Sequence, residues 1–133
     1  LVSGRLIYPE YLQLLELEHE HYIYAGEIDD PENYLLAADV FLNPVTEGGG
    51  IKVKTMEALA YNLPVISTQH SARGIDLTLT GSKLKVCADN DWPAFCGLIT
   101  DAWIGDTETP PEFYRHYHWE KVILPFLEKI NTG

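Results

Sequence analysis

With 133 residues, 46% of them hydrophobic and 22% charged, the chain has the size of one globular domain and too much apolar content to stay disordered. Nine Lys and Arg against twenty Asp and Glu give a formal charge of −11, a field that repels nucleic acid unless a basic patch offsets it; the basic residues are scattered, so nucleic acid is not an expected partner. The longest apolar runs, such as Val40-Phe41-Leu42 and Leu63-Pro64-Val65-Ile66, are too short to span a bilayer, and no secretory pattern opens the chain, which therefore reads as cytoplasmic. The same negative field opposes a phosphorylated ligand, so any phosphate site must rest on local donors. Cys87 and Cys96 lack metal-type spacing and read as buried reduced thiols.

In chain order, apolar runs of strand length alternate with stretches of helical period. Residues 1–3 predict a short buried strand closed by Gly4, residues 9–19 a helix, and residues 22–25 a strand ended by Gly26. Asp30 is placed to cap a helix over residues 31–38, with Pro31 at its first position. Strands follow at residues 40–43, 64–68 and 84–87, with a helix over about residues 51–61 between the first two. Asn90 or Asp91 opens a helix to about Trp103, and a polar linker over residues 105–111 leads to a final helix at roughly 112–130. Strands without polar alternation, separated by helices, predict a parallel sheet covered on both faces, a doubly wound Rossmann-like α/β fold. Ligands of such sheets bind beyond the carboxyl ends of the strands, which places the loops at residues 26–30, 44–50 and 68–75 along one rim. Residues 40–42, Met56, Ala60, Val65, Ile66 and Val86 are expected in the core, with Lys54 and Glu57 reachable from the rim.

The segment richest in chemistry is Asn43-Pro44-Val45-Thr46-Glu47-Gly48-Gly49-Gly50-Ile51-Lys52-Val53-Lys54-Thr55-Met56-Glu57-Ala58-Leu59-Ala60. A strand ends, three glycines follow, and a helix begins. Glycines admit positive φ and a close approach of backbone amides to a ligand. The first amides of a helix lack internal partners and sit at its positive end, which suits a diphosphate. Lys52 and Lys54 in that first turn are unfavourable to the helix itself and point to a negative ligand. At 100° per residue, Val53, Met56, Leu59 and Ala60 form the expected buried face, while Lys54, Glu57 and Tyr61 share another. An ionised Glu57 accepts hydrogen bonds only, so it matches the vicinal diol of a ribose. The residues alone favour the plainer reading, a Lys54–Glu57 surface pair at i, i+3. The spacing is not that of a P-loop, nor of a dinucleotide fingerprint, since the following strand ends Ser67-Thr68-Gln69 without an acid. Paired acids of the receiver-domain kind are absent after residues 1–3.

Gly48 through Ala60, then Asn62-Leu63-Pro64-Val65-Ile66-Ser67-Thr68 and Gly74-Ile75, resembles the donor-binding motif of retaining GT-B glycosyltransferases of the family 4 type. Upstream, Tyr24-Ala25-Gly26-Glu27-Ile28 and Ala38-Asp39-Val40-Phe41-Leu42-Asn43-Pro44 fit the same pattern, as does Trp119-Glu120-Lys121-Val122 downstream. The resemblance implies the C-terminal, nucleotide-sugar-binding lobe of a two-lobed enzyme. Backbone amides of Gly50 and Ile51 would then meet the donor diphosphate, with Gly49 beside them in the donor site; Lys52 and Lys54 would face it, Glu57 would hold the ribose, and Gly26 and Ile28 would lie near the base. It further implies sugar transfer from a nucleoside diphosphate to an acceptor hydroxyl in polysaccharide or glycoconjugate synthesis, with no cofactor or metal. Peripheral membrane association of the full enzyme stays open.

Two departures accompany the resemblance. The family's paired glutamates lie eight positions apart, and the residue eight before Glu57 is Gly49, with Glu47 nearby but out of register. The lobe's first strand–helix unit and the acceptor lobe would precede Leu1, so residues 1–133 read as one donor-binding domain of a longer protein, without an assignable catalytic residue. A non-catalytic GT-B-like module, or a lobe of a nucleotide-sugar epimerase, fits the same pattern. His19 with His21 and His116 with His118 each offer two metal ligands without a third and read as solvated faces. His70 falls in a rim loop and reads as exposed, Arg73 as a surface cation within reach of a phosphate, and Trp92, Trp103 and Trp119 as packed helical residues.

Overall fold

The computed structural model describes residues 1–4, 16, 20–49, 53–101 and 108–118. They fall into two compact units, Leu1–Tyr34 and Leu35–Gly133.

In the first unit, Val2 and Tyr24 form a parallel bridge. The Val2 N–H donates to the Ile23 carbonyl at 2.8 Å, Ala25 to Val2 at 2.8 Å and Gly4 to Gly26 at 2.9 Å. The runs at 1–3 and 22–25 therefore meet as parallel extended segments, over a single bridge. The helix expected at 9–19 lies, apart from Glu16, outside the described residues. Asp30 acts as the expected cap: its Oδ1 accepts from the Glu32 N–H at 3.0 Å, at the start of helix α1, Glu32–Ala37.

The second unit holds a parallel sheet of three strands, β1 (Phe41–Asn43), β2 (Val65–Thr68) and β3 (Leu84–Cys87), in the order β1-β2-β3. Central β2 is buried along its whole length, and successive side chains of a strand point to opposite faces. Val65 packs on one face among Leu59, Leu63, Leu84 and Phe113. These come partly from helix α2 (Val53–Ala60) and helix α4 (Pro111–Tyr117). Ile66 packs on the other face against Cys87 and against Phe95 of helix α3 (Trp92–Thr100). Asp91 caps α3, accepting from the Ala94 N–H at 3.1 Å. A parallel sheet with helices on both faces is the doubly wound, Rossmann-like α/β fold expected from the alternation of apolar runs.

Several packing expectations need correction. Leu42 is 41% exposed, and Val40, Phe41 and Val86 are half-buried, because β1 and β3 are the outer strands of this sheet. Helix α2 is turned relative to its apolar stripe. Val53 is 59% exposed and Ala60 is exposed, Met56 is half-buried, and Thr55, Ala58 and Leu59 face the core. The cause is polar: Thr55 Oγ1 accepts a 2.8 Å hydrogen bond from Asn43 Nδ2, which locks the helix with a hydroxyl inward. Helix α4 ends at Tyr117, with His118 extended; residues 119–133, including Trp119 and the rest of the helix expected at 112–130, lie outside the described residues, as does Trp103. Within the expected linker, Thr109 is buried, its N–H donating to Asn62 Oδ1 at 2.7 Å and its hydroxyl to the Leu59 carbonyl at 2.8 Å. Cys87 is buried as expected, and burial pushes its thiol pKa up, but Cys96 is exposed. Trp92 is also exposed, in edge contact with Phe95.

Candidate functional site

Because β1 and β2 are parallel neighbours, the loops leaving their carboxyl ends emerge side by side. Pro44 ends β1, and the chain runs through the glycine turn to α2; the loop after β2 carries Gln69 to Ile75. Buried polar side chains tie the two loops together. The Thr68 hydroxyl donates to the Val45 carbonyl and accepts from the Ser71 N–H at 3.2 Å. The Ser71 hydroxyl lies 2.6 Å from the Val45 carbonyl and 3.1 Å from Asn43 Oδ1; its one proton serves the nearer acceptor. Asn43, Thr55, Thr68, His70 and Ser71 are all buried. Buried groups of this kind are costly when unpaired and rigid when paired.

His70 is the residue that sequence reasoning placed wrongly. It is only 8% exposed, its Nε2 lies 2.7 Å from the Gly48 carbonyl, and its backbone N–H donates to Asp89 Oδ1 at 2.8 Å. The loop after β2 is therefore held on one side to the loop after β3 and on the other to the glycine turn. The available signal was the run of polar residues at strand ends, Asn43 and Ser67-Thr68, within otherwise apolar strands; it marks where the sheet carries hydrogen-bonded loops.

Of the residues assigned to a donor, Gly49 is exposed with open space where a Cβ would project. Gly48 takes φ +99°, a conformation that favours glycine. Lys54 and Glu57 are both exposed on α2. Gly50, Ile51 and Lys52 lie outside the described residues. Gly26 and Ile28 belong to the first unit, where Gly26 takes φ +70° and Ile28 is half-buried. Arg73, in the loop after β2, is exposed. Among the described residues, no three His, Cys, Asp or Glu side chains gather as metal ligands.

A parallel α/β sheet with a glycine turn between a strand end and a helix start defines a Rossmann-like domain with its ligand rim at the strands' carboxyl ends. The sequence profile of glycosyl transferases group 1 matches residues 1–102, most of the 133-residue chain. The chain belongs to this family, so its fold is that of a GT-B-type glycosyltransferase domain and its chemistry is glycosyl transfer. No curated protein and no solved structure gives a significant match. Among the described residues, no helix is long and apolar enough to cross a membrane.

Proposed function

We propose that this chain is the lobe of a retaining glycosyltransferase that binds a nucleoside-diphosphate sugar, with the acceptor held by a separate lobe. The observation that carries this reading is the β1–glycine turn–α2 unit at the carboxyl rim of the sheet, in a chain of the glycosyl transferases group 1 family. Amides of Gly49, Gly50 and Ile51 and the ammonium groups of Lys52 and Lys54 meet the diphosphate. Glu57 accepts from the ribose hydroxyls. During transfer the bond from the sugar's anomeric carbon to the diphosphate oxygen breaks and a bond to the acceptor oxygen forms. Negative charge gathers on the departing diphosphate, and fixed amides and cations stabilise it without a metal. The product belongs to a polysaccharide or glycoconjugate pathway in the cytoplasm.

Gly49 at the position of the first family glutamate favours a second reading, a binding module without turnover. Donor hydrolysis or transfer by the full-length protein separates the two.

The ribose assignment is tested by calorimetric titration of UDP and GDP against their 2′-deoxy counterparts. A charged hydrogen bond contributes about 1.5–3 kcal/mol, so the ribonucleotides should bind roughly tenfold or more tightly. Glu57→Ala should erase that preference. A preference that survives Glu57→Ala contradicts the role given to Glu57.

A further inference from the structure

We infer that His70 is a positioning residue that fixes the direction of the Gly48–Gly49 peptide, so that the Gly49 N–H is presented to the diphosphate of the donor. The inference rests on the donor-site reading above and adds a residue to which that reading gives no part. A carbonyl oxygen only accepts, so the 2.7 Å contact between His70 Nε2 and the Gly48 carbonyl requires the proton on Nε2. The peptide is trans, as are the others among the described residues. In a planar trans peptide the carbonyl of one residue and the N–H of the next point in opposite directions. Anchoring the Gly48 carbonyl on His70 therefore turns the Gly49 N–H away from His70, and Gly49 is exposed with open space beside it.

Such an anchor is needed because the peptide joins two glycines. Turning this unit over changes ψ of Gly48 and φ of Gly49, and glycine tolerates both outcomes. One orientation offers an anion a hydrogen-bond donor; the other offers it a repulsive carbonyl. His70 is itself held: it is buried, and its own N–H is fixed by Asp89 at 2.8 Å. The neighbouring clamps from Thr68 and Ser71 act on the Val45 carbonyl, three residues earlier, and leave the Gly48–Gly49 peptide free to turn. Only the imidazole sets its direction among the described residues.

The test titrates the 15N-labelled chain with UDP and GDP, and with uridine and guanosine as phosphate-free controls. It compares wild type with His70→Phe, which keeps a flat ring but no donor, and with His70→Gln, whose side-chain amide restores an N–H. His70→Asn, smaller than histidine and too short to reach Gly48, gives the same comparison without the bulk of phenylalanine. In wild type the Gly49 amide resonance should shift with the diphosphates. His70→Phe and His70→Asn should bind them roughly tenfold more weakly, the loss of one hydrogen bond to a charged group. Their nucleoside affinity should be unchanged, and His70→Gln should recover most of the lost diphosphate affinity. Diphosphate binding at the wild-type level in a folded Phe or Asn variant overturns the role of His70 alone. So does a Gln variant as weak as the others. Absence of diphosphate binding in wild type overturns the donor-site reading, and the role of His70 with it.

Discussion

Asp76 opens a single 3-10 turn, Leu77–Leu79, and its carboxylate accepts from the Thr78 N–H at 2.9 Å and the Thr78 hydroxyl at 2.7 Å. These hydrogen bonds, the side-chain one first, hold its pKa below the ordinary 3.8, with a smaller contribution from nearby His116. A carboxylate whose folded pKa is depressed adds stability that is complete above its unfolded pKa and is lost as pH falls through the folded one. The acid limb of the stability curve, measured by urea unfolding below pH 4, should therefore be shallower in Asp76→Asn than in wild type. Identical acid limbs would show that the Thr78 hydrogen bonds do not distinguish the two protonation states. Caps of this kind were legible in the sequence, as Asp30 and Asp91 show, because an acid before a helical run has one common use. His70 was not legible. A histidine in a loop is usually solvated, and only the parallel pairing of β1 with β2 brings the Gly48 carbonyl within its reach, 22 residues away.

At the scale of elements, α2 ends in a backbone motif that sets the entry to β2. The Asn62 N–H donates to the Leu59 carbonyl and the Leu63 N–H to the Ala58 carbonyl, each at 3.0 Å, with Asn62 at φ +63°. This is the Schellman arrangement, in which a left-handed residue stops the helix and satisfies its last carbonyls. Asn62 does more than turn the chain, since its Oδ1 accepts from the Thr109 N–H and its carbonyl from Lys83 Nζ at 2.8 Å. Alanine at this position meets the left-handed strain, about 1 kcal/mol or more, and also loses the side-chain hydrogen bond, about 1 kcal/mol. Glycine loses only the latter. Asn62→Ala should thus cost roughly 2 kcal/mol and Asn62→Gly roughly half that in urea unfolding. A glycine variant less stable than the alanine one would contradict this reading of the turn. The elements themselves were legible where apolar runs are continuous: β2 and β3 fall within a residue of their expected bounds. The facing of α2 was not, because periodicity places apolar residues inward by default. Thr55 is admitted to the core only by its bond from Asn43, twelve residues earlier.

For the whole molecule, the sequence carried the fold class through its alternation of buried strands and helices, and the family through the segment from Gly48 to Ala60. What it could not carry is how the two loops of the rim are fastened, since that depends on strand order rather than on any local pattern. A rim fastened by buried Asn43, Thr55, Thr68, His70 and Ser71 holds its glycine turn before a ligand arrives, which lowers the ordering cost of binding. The net charge of −11 works against an anionic donor and should make binding salt-sensitive, tightening as added salt screens the long-range repulsion. The most direct measurement is a chemical-shift map of the 15N-labelled chain titrated with UDP and GDP. At least one of the two should bind, with the largest perturbations at residues 48–57, and Glu57→Ala should weaken that binding roughly tenfold or more. Perturbations confined to other residues, or undiminished in Glu57→Ala, would contradict a donor site built on the glycine turn and α2.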